Sequence, residues 1–321
     1  MKKHLKNIIS VVLICILATS QFVFAANNKP SKNFISQVIA FGDSHSDSGE
    51  AKRITTAIVN DANTPEGAYI KPSDELYWES RYSNGPTSVE ILAEKLGVHL
   101  FNYATGGATS GEGNYSAWMD HLGPTGLLGQ IQAFEKSLNG QKADPNALYF
   151  IFASANDYYL FMDYELEGTI KGVADQAVVN INTAVKNLAD LGAKKFFVVN
   201  SSDLSLVPYE ITTGRTAEAK AFTEHFNKEL PKTLKKQEKD LDVSILLFDH
   251  TKVSNKIVKN PEKYGLVELS QECQSTYPEV KPARENPDQY FFWDEWHFSR
   301  VAHNIFGEEM YNAVKTFNFK K

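Results

Sequence analysis

The sequence predicts an α/β fold of three layers, α/β/α, with a doubly wound, five-stranded parallel sheet between two layers of helices. Three observations favour this class. Five short apolar runs are spread along the chain, segments with a helical apolar period separate them, and glycine-rich polar stretches follow the first three runs. Near-continuous apolar runs are typical of parallel strands that are covered on both faces. Alternation of such strands with helices is typical of a doubly wound sheet.

The five apolar runs are the predicted strands, and all five are expected to be buried. The runs occupy residues 37–42 (QVIAFG), 97–104 (GVHLFNYA), 147–154 (ALYFIFAS), 194–200 (KKFFVVN) and 243–249 (VSILLFD).

Two amphipathic helices are predicted between these strands. Segment 85–97 (GPTSVEILAEKLG) has Pro86 in its first turn and stops at Gly97, and its apolar residues fall on one face. Segment 175–192 (DQAVVNINTAVKNLADLG) repeats the design and ends at Gly192.

Two further helices are predicted in the second half of the chain. A long polar helix should run from about Thr216 to Asp240 with a bend near Pro231, because proline removes a backbone donor from a helix interior. The last helix should cover roughly Ser299 to Thr316. The resulting order of alternating strands and helices describes one sheet with helices on both faces.

The first 26 residues have the features of a secretory signal peptide. Three lysines stand among the first six residues, an apolar stretch covers 8–18, and the small residues Ala25 and Ala26 follow. We expect cleavage near Ala25 or Ala26, secretion to the periplasm or the exterior, and one domain over 27–321. The alternative is an uncleaved anchor, but the apolar stretch is shorter than the about 20 residues that a membrane-spanning helix needs.

Composition and charge exclude several classes of function. The chain of 321 residues has a net charge of −6, and loss of the leader removes three lysines and no acid, which leaves about −9. Such a chain is a poor partner for nucleic acid. No zinc-spaced Cys/His cluster, phosphate-binding Gly-Lys-Ser loop or internal repeat occurs, so we expect no cofactor and no metal. Cys273 is the one cysteine beyond the leader and is expected to be free, and no feature indicates an oligomeric state.

Polar, turn-forming residues follow the first three predicted strands. Gly42-Asp43-Ser44 comes after the first strand, NYATGGATSGEG (102–113) after the second and SANDYY (154–159) after the third. The carboxyl ends of parallel strands lie along one edge of a sheet, where such folds bind their ligands. The three stretches therefore predict a lined cleft.

A serine, an aspartate and a histidine could form a catalytic set in this cleft. Asp294 and His297 are three residues apart in YFFWDEWHFS, so they share a face in a turn or a helix start. A carboxylate that binds one imidazole nitrogen leaves the other nitrogen as a base, and such a base activates a serine hydroxyl. Ser44 lies directly after a buried strand. The usual α/β-hydrolase elbow, Gly-x-Ser-x-Gly, is absent.

Several segments together resemble one enzyme family. FGDSHSDSG (41–49) resembles the first block of the GDSL lipolytic enzymes, also called SGNH hydrolases, whose fold is flavodoxin-like. NYATGGAT (102–109) resembles their second block, SAND (154–157) their third and WDEWH (293–297) their last. RYSNGPTSVEILAEKLG (81–97) resembles the segment between the first two blocks. The blocks follow the family's order over nearly the whole mature chain.

The resemblance implies a role for each matching residue. Ser44 would be the nucleophile, His297 the base and Asp294 the partner that orients it. Three donors would stabilise the oxyanion: the backbone N–H of Ser44, the backbone N–H of Gly107 and the side-chain amide of Asn156. Fixed donors at the point where negative charge develops are what acyl transfer needs.

The chain departs from the family pattern at two positions. Ser154 stands where the third block normally begins with glycine, which could alter the loop that carries Asn156. Phe298 follows the histidine where proline is usual. Neither position is a proposed catalytic group.

Plainer interpretations of these residues remain open. Asp43, His45 and Asp47 alternate along a loop and could be metal ligands, although this spacing is a weak indication. Asn156 could cap a helix instead of serving an oxyanion. Gly106 is expected to serve close packing or a positive φ. An acyl pocket could be lined by Tyr158, Tyr159, Phe161 and Trp118, although aromatic residues after a strand more often belong to the core.

The resemblance also suggests a class of substrate. The blocks are similar to those of bacterial lysophospholipases and phospholipases A of the thermolabile-haemolysin type, some of which transfer an acyl chain to cholesterol. We therefore expect a lipid ester as substrate, lysophospholipid before diacyl lipid, and transient contact with a membrane or micelle surface. Short-chain or carbohydrate esters are the alternative within the fold. A non-catalytic secreted binding domain is the alternative from another class.

Overall fold

The computed structural model describes residues 34–320, so the predicted leader lies outside the described residues. Its main sheet has five parallel strands in the order β2-β1-β3-β4-β5, which is the flavodoxin-like order of a doubly wound sheet. The strands are β1 (Gln37–Gly42), β2 (His99–Asn102), β3 (Leu148–Phe152), β4 (Lys195–Val199) and β5 (Ser244–Phe248). The predicted five-stranded α/β fold is confirmed, and every predicted strand overlaps an observed one.

Burial differs among the strands of this sheet. Strands β3 and β4 are buried along their whole length, and Phe150, Phe197 and Phe248 stack with ring centroids 5.5 and 5.6 Å apart. The prediction that all five strands are buried is wrong for β2, in which Phe101 is 46% exposed. Both β2 and β5 lie at an edge of the sheet, but four of the five residues of β5 are buried, so the exposure of β2 comes from incomplete cover of its faces and not from its edge position alone.

The helices form two packed groups. The described residues contain nine α-helices: α1 (Glu50–Val59), α2 (Ser88–Leu96), α3 (Leu127–Ser137), α4 (Ala155–Asp163), α5 (Ile170–Leu191), α6 (Pro208–Thr213), α7 (Thr216–Asp240), α8 (His250–Lys259) and α9 (Arg300–Thr316). Helix α5 packs against α3, α4 and α7, while α9 packs against α2 and α8. Each group contacts both β1 and β5, as expected for helix layers on the two faces of the sheet.

The predicted helix ends are largely confirmed. Helix α2 ends before Gly97, which has the left-handed conformation that glycine adopts easily, and α7 has the predicted bounds with Pro231 inside it. The prediction that Pro86 lies in the first turn of α2 is wrong. Thr87 is the N-cap of that helix, and the Glu90 carboxylate accepts a hydrogen bond from the Thr87 N–H at 2.9 Å, so Pro86 precedes the cap.

A small second sheet lies in the C-terminal part of the chain, directly before the segment that contains Asp294 and His297. Strands β6 (Glu268–Glu272) and β7 (Tyr290–Phe292) pair in parallel, and the sequence analysis missed both. Cys273, which is buried and free as expected, continues this pairing by donating its N–H to the Phe292 carbonyl at 3.1 Å. In the described part of the chain, no helix is long and apolar enough to cross a membrane.

Candidate active site

A tight turn after β1 presents Ser44 at the edge of the sheet. The Asp43 carbonyl accepts hydrogen bonds from the N–H groups of Ser46 and Asp47, both at 3.0 Å, and closes the turn. Gly42 is required at the end of the strand because a Cβ there would collide with the Phe152 carbonyl of β3. The turn leaves the Ser44 side chain half-buried at the carboxyl end of β1.

Two buried side chains hold this turn: Gln130, for which the sequence predicts no role, and Asp47, which the sequence offered only as a possible metal ligand. The Gln130 amide donates to the Gly42 carbonyl at 2.8 Å and accepts from the Gly42 N–H at 2.9 Å. The Asp47 carboxylate accepts from the backbone N–H groups of residues 49, 50 and 51 and from that of Gly106 at 2.7 Å. Burial raises the pKa of Asp47 to about 6, although these four donors oppose the rise. The hydrogen bond between Asp47 and Gly106 thus connects segment 41–49 to segment 102–109.

The alternative of a metal site at Asp43, His45 and Asp47 gains no support. The Asp43 carboxylate accepts from the His45 N–H at 3.0 Å, and the Asp47 carboxylate is surrounded by backbone donors. Residues 34–320 contain no group of three or more potential ligands placed to hold a metal ion.

The glycine pair in the second segment has two separate structural causes. Gly107 has φ +80°, and a Cβ there would collide with Asn114. Gly106 has no positive φ, but a Cβ on it would collide with the ring of Tyr82, so close packing explains this glycine. In the described structure, the N–H groups of Gly107 and Ser44 donate to no acceptor. Both donors are therefore available to a ligand.

Asn156 lies in the first turn of α4, directly after β3. Its amide nitrogen donates one hydrogen bond to the Ala108 carbonyl at 3.0 Å and has a second hydrogen to offer. Asn156 is inside the helix and Ser154 occupies the N-cap position, so the alternative role of Asn156 as a cap is wrong. Ser154 has φ −174°, which any residue adopts, so replacing the family's glycine here strains nothing.

Ser44, His297 and Asp294 form a continuous hydrogen-bonded chain. The distance between His297 Nε2 and Ser44 Oγ is 2.8 Å. On the other side of the ring, His297 Nδ1 lies 2.7 and 2.8 Å from the two carboxylate oxygens of Asp294, which is completely buried. The structure therefore brings together the three residues that the sequence analysis placed in one site.

Asp294 is held ionised despite its burial. Burial alone would raise the pKa of Asp294, but His297 and hydrogen bonds from Tyr77 and from the Trp296 N–H lower it below the ordinary value. The Tyr77 hydroxyl donates to Oδ2 at 2.6 Å, and the N–H groups of residues 296 and 297 donate to Oδ1 at 2.8 Å. Because an ionised carboxylate can only accept, His297 carries its proton on Nδ1 and its Nε2 lone pair faces Ser44.

This geometry agrees with a family match over most of the chain. Residues 38–310 match the family model described as GDSL-like Lipase/Acylhydrolase. The chain belongs to this family of lipases and acylhydrolases.

Known relatives of this GDSL family chain include esterases and an acyltransferase. A GDSL esterase/lipase of Arabidopsis thaliana is 23% identical, with 97% of this chain and 98% of the relative covered. A phosphatidylcholine-sterol acyltransferase of Aeromonas hydrophila is 26% identical, with 81% of this chain and 71% of the relative covered. Among solved structures, an aryl esterase of M. smegmatis has a TM-score of 0.45 and 15% identity over 88% of this chain and 99% of that chain.

Aromatic packing accommodates the departures of this GDSL chain around His297. The family's name gives Gly-Asp-Ser-Leu, and this chain has His45 at the fourth position. The His45 ring lies 4.9 Å from the ring of Phe298, which replaces the usual proline and is itself buried. Burial lowers the pKa of His45 far below the ordinary value, so the ring is neutral and packs as an apolar group.

Replacement of Asp294 by asparagine tests the orientation of the base. The amide oxygen of Asp294→Asn can still accept from the backbone, but its NH₂ group must then face His297 Nδ1. That nitrogen becomes an acceptor, Nε2 carries the proton, and Ser44 loses its base. We expect kcat for a soluble ester to fall by about 10⁴-fold with little change in melting temperature. Activity within tenfold of wild type would contradict the orienting role.

Proposed function

We propose that this chain is a secreted serine hydrolase of lipid esters, most closely a lysophospholipase A or phospholipase A, exported by a leader over residues 1–26. The observation that carries the proposal is the 2.8 Å hydrogen bond between Ser44 Oγ and His297 Nε2, backed by buried, ionised Asp294. A hydroxyl, an oriented imidazole and a carboxylate in this order are what nucleophilic ester cleavage requires.

The proposed reaction has two steps. His297 Nε2 takes the proton of Ser44 while Oγ attacks the ester carbonyl, and the leaving alcohol departs with a proton from His297. Water then attacks the acyl-enzyme and gives a proton to His297, and His297 passes that proton to Ser44 Oγ as the bond to the acyl group breaks and the fatty acid leaves. In each step the carbonyl oxygen becomes negative, and the free N–H groups of Ser44 and Gly107 with the amide of Asn156 would stabilise it.

Replacement of Ser44 tests this function against the non-catalytic alternative. Ser44→Ala should lower kcat by roughly 10⁴- to 10⁶-fold, because the nucleophile is lost while substrate binding persists. A fluorophosphonate probe should label the wild type and the matched control Ser48→Ala, and should not label Ser44→Ala. A wild-type protein that neither reacts with the probe nor hydrolyses any ester would be a binding domain.

Support for lipid substrates comes from an aromatic surface that begins next to the base. Trp296 adjoins His297 in the chain, and its ring lies 4.9 Å from Tyr209, whose ring lies 5.9 Å from Tyr277. Residues 115 and 164 extend the surface: the Asp163 carboxylate accepts from the hydroxyls of Tyr209 and Tyr115, and the Tyr115 ring contacts that of Tyr164. We call Tyr115, Tyr164, Tyr209, Tyr277 and Trp296 the tyrosine wall.

The outer end of the tyrosine wall fits an uncharged lipid interface. Tyr164 is 58% exposed and Tyr277 is 55% exposed, and Leu166 beside Tyr164 is also exposed. Tyrosine suits a membrane interface because its ring is apolar and its hydroxyl is polar. Glu165 and Glu167 alternate with the exposed apolar residues, so the charge of this edge favours zwitterionic over anionic lipid.

Loss of the exposed tyrosines should lower the hydrolysis of lipid aggregates without lowering the hydrolysis of soluble esters. In Tyr164→Ser/Tyr277→Ser, hydrolysis of micellar lysophosphatidylcholine should fall about tenfold, since apolar contact with the micelle is lost. Hydrolysis of a soluble acetyl ester should be unchanged. Val179→Ser, which removes an equally exposed apolar side chain from α5, is the control for both substrates. A wild type that prefers acetyl esters or acetylated sugars to every lipid would favour the short-chain or carbohydrate esterase.

Acyl transfer to cholesterol is a second candidate activity. The relative from Aeromonas hydrophila carries the name phosphatidylcholine-sterol acyltransferase, which favours the same outcome here. The sterol hydroxyl would take the place of water in the second step and form a cholesteryl ester. With phosphatidylcholine vesicles that contain cholesterol, we expect cholesteryl ester and free fatty acid together, measured by lipid chromatography. Fatty acid alone would exclude the transferase activity.

A further inference from the structure

Leu76, Tyr77 and Tyr82 contact the part of the chain that carries Asp294 and His297. The Leu76 carbonyl accepts hydrogen bonds from the side chains of Gln274 at 2.7 Å and Trp293 at 3.0 Å. Trp293 is the residue before Asp294, so these contacts fix the backbone beside Tyr77 to the loop that carries the acid. The backbone next to Tyr77 is therefore fixed to the same loop that carries Asp294, the acceptor of the Tyr77 hydroxyl.

We propose that Tyr77 is a positioning residue for the proposed ester hydrolysis: its hydroxyl holds Asp294 Oδ2 and limits how strongly this carboxylate attracts the proton of His297. The proposal rests on the proposed function. No family-like segment contains Tyr77, and the sequence analysis gave it no role.

The hydrogen-bond partners of Asp294 support this assignment. The carboxylate has no contact with solvent, so each oxygen depends on protein donors. Oδ1 accepts from the N–H groups of residues 296 and 297, Oδ2 accepts from the hydroxyl of Tyr77, and His297 Nδ1 lies 2.8 Å from Oδ1 and 2.7 Å from Oδ2. Without the hydroxyl, the charge on Oδ2 would be shared with His297 alone and would bind the imidazolium more strongly.

Tyr77 is suited to remain a donor. Burial, together with the charge of Asp294 and their hydrogen bond, raises the pKa of Tyr77 far above its ordinary value. Its proton is retained over the working range of pH. At 2.6 Å, the contact is a short hydrogen bond to a charged acceptor, which is the stronger class of such bonds.

A neighbouring tyrosine provides a matched control. The ring of Tyr82 lies 5.6 Å from the ring of Tyr77 and 5.1 Å from the ring of His297. The Tyr82 hydroxyl is buried and has no hydrogen-bond partner in the described structure. Tyr82→Phe therefore removes a hydroxyl from the same cluster without removing a hydrogen bond to Asp294.

Other titratable groups lie around His297, and any of them that titrates near neutral pH could contribute to the dependence of kcat/KM on pH. Burial lowers the pKa of His303 to about 3 and keeps His45 neutral as well, so neither ring should titrate near neutral pH. Burial raises the pKa of Asp43 to about 7, so Asp43 titrates in the measured range and must stay intact in every variant. The Tyr82 ring also borders His297, at 5.1 Å between ring centroids. Glu295, the residue after Asp294, accepts hydrogen bonds from residues 275–277.

The test compares kcat/KM against pH for a soluble short-chain ester in wild type, Tyr77→Phe and Tyr82→Phe. For Tyr77→Phe we expect kcat to fall about tenfold with KM nearly unchanged. The acid limb of the profile, where the rate falls as pH decreases, should shift to higher pH by roughly half to one unit. Tyr82→Phe should leave the limb in place. A Tyr77→Phe limb that coincides with that of wild type would overturn the proposal, since a packing role lowers the rate without moving the limb.

A second variant covers the case in which Tyr77→Phe folds poorly. Site-specific 3-fluorotyrosine at position 77 keeps the ring and makes the hydroxyl a stronger donor, so the acid limb should move down instead of up. An unchanged limb in this variant also contradicts the proposal. If wild type hydrolyses no ester, the proposed function fails. If wild type is active and neither limb moves, only the role of Tyr77 fails.

Discussion

The hydrogen bond between Ser44 Oγ and His297 Nε2 joins two residues that are 253 positions apart, and much of the fold serves to keep them together. The first residue depends on the turn after β1, which Gln130 and Asp47 hold. The second depends on the loop after β7, which Asp294 organises through its backbone donors. Because the sheet order places β1 between β2 and β3, the candidate oxyanion donors that follow these two strands belong to the same edge of the sheet as Ser44.

Buried carboxylates organise both halves of the site, with opposite consequences for stability. Burial raises the pKa of Asp43 to about 7 and that of Asp47 to about 6, so the folded chain binds these protons more tightly than the unfolded chain does. Their contribution to stability therefore falls as pH rises from about 4 towards 7. The pKa of Asp294 is lowered, so its contribution is present above the ordinary pKa of aspartate and is lost in acid. Ionised Asp43 and Asp47 therefore destabilise the fold at the turn that carries Ser44, whereas ionised Asp294 stabilises it beside His297.

The fold and the main site residues could be predicted because their causes are local or carried by recognisable segments. Apolar runs identify the strands, and the family-like blocks lead to Ser44, Asn156 and His297. The exposure of β2 could not be predicted, since its composition does not reveal that its faces are only partly covered. Strand β6 was missed because its sequence, ELSQE, is polar and only partly buried. Tyr77 could not be found from sequence, because its role comes from one contact across 217 positions.

The central claim is that the nucleophile, its base and three oxyanion donors converge on a single point. A crystal structure of the protein after reaction with a phosphonate ester tests this most directly. The account predicts phosphorus bonded to Ser44 Oγ, with one phosphonyl oxygen within about 2.7–3.1 Å of the Ser44 nitrogen, the Gly107 nitrogen and the Asn156 amide nitrogen. A phosphonyl oxygen that points to solvent, or an adduct on another residue, would contradict it.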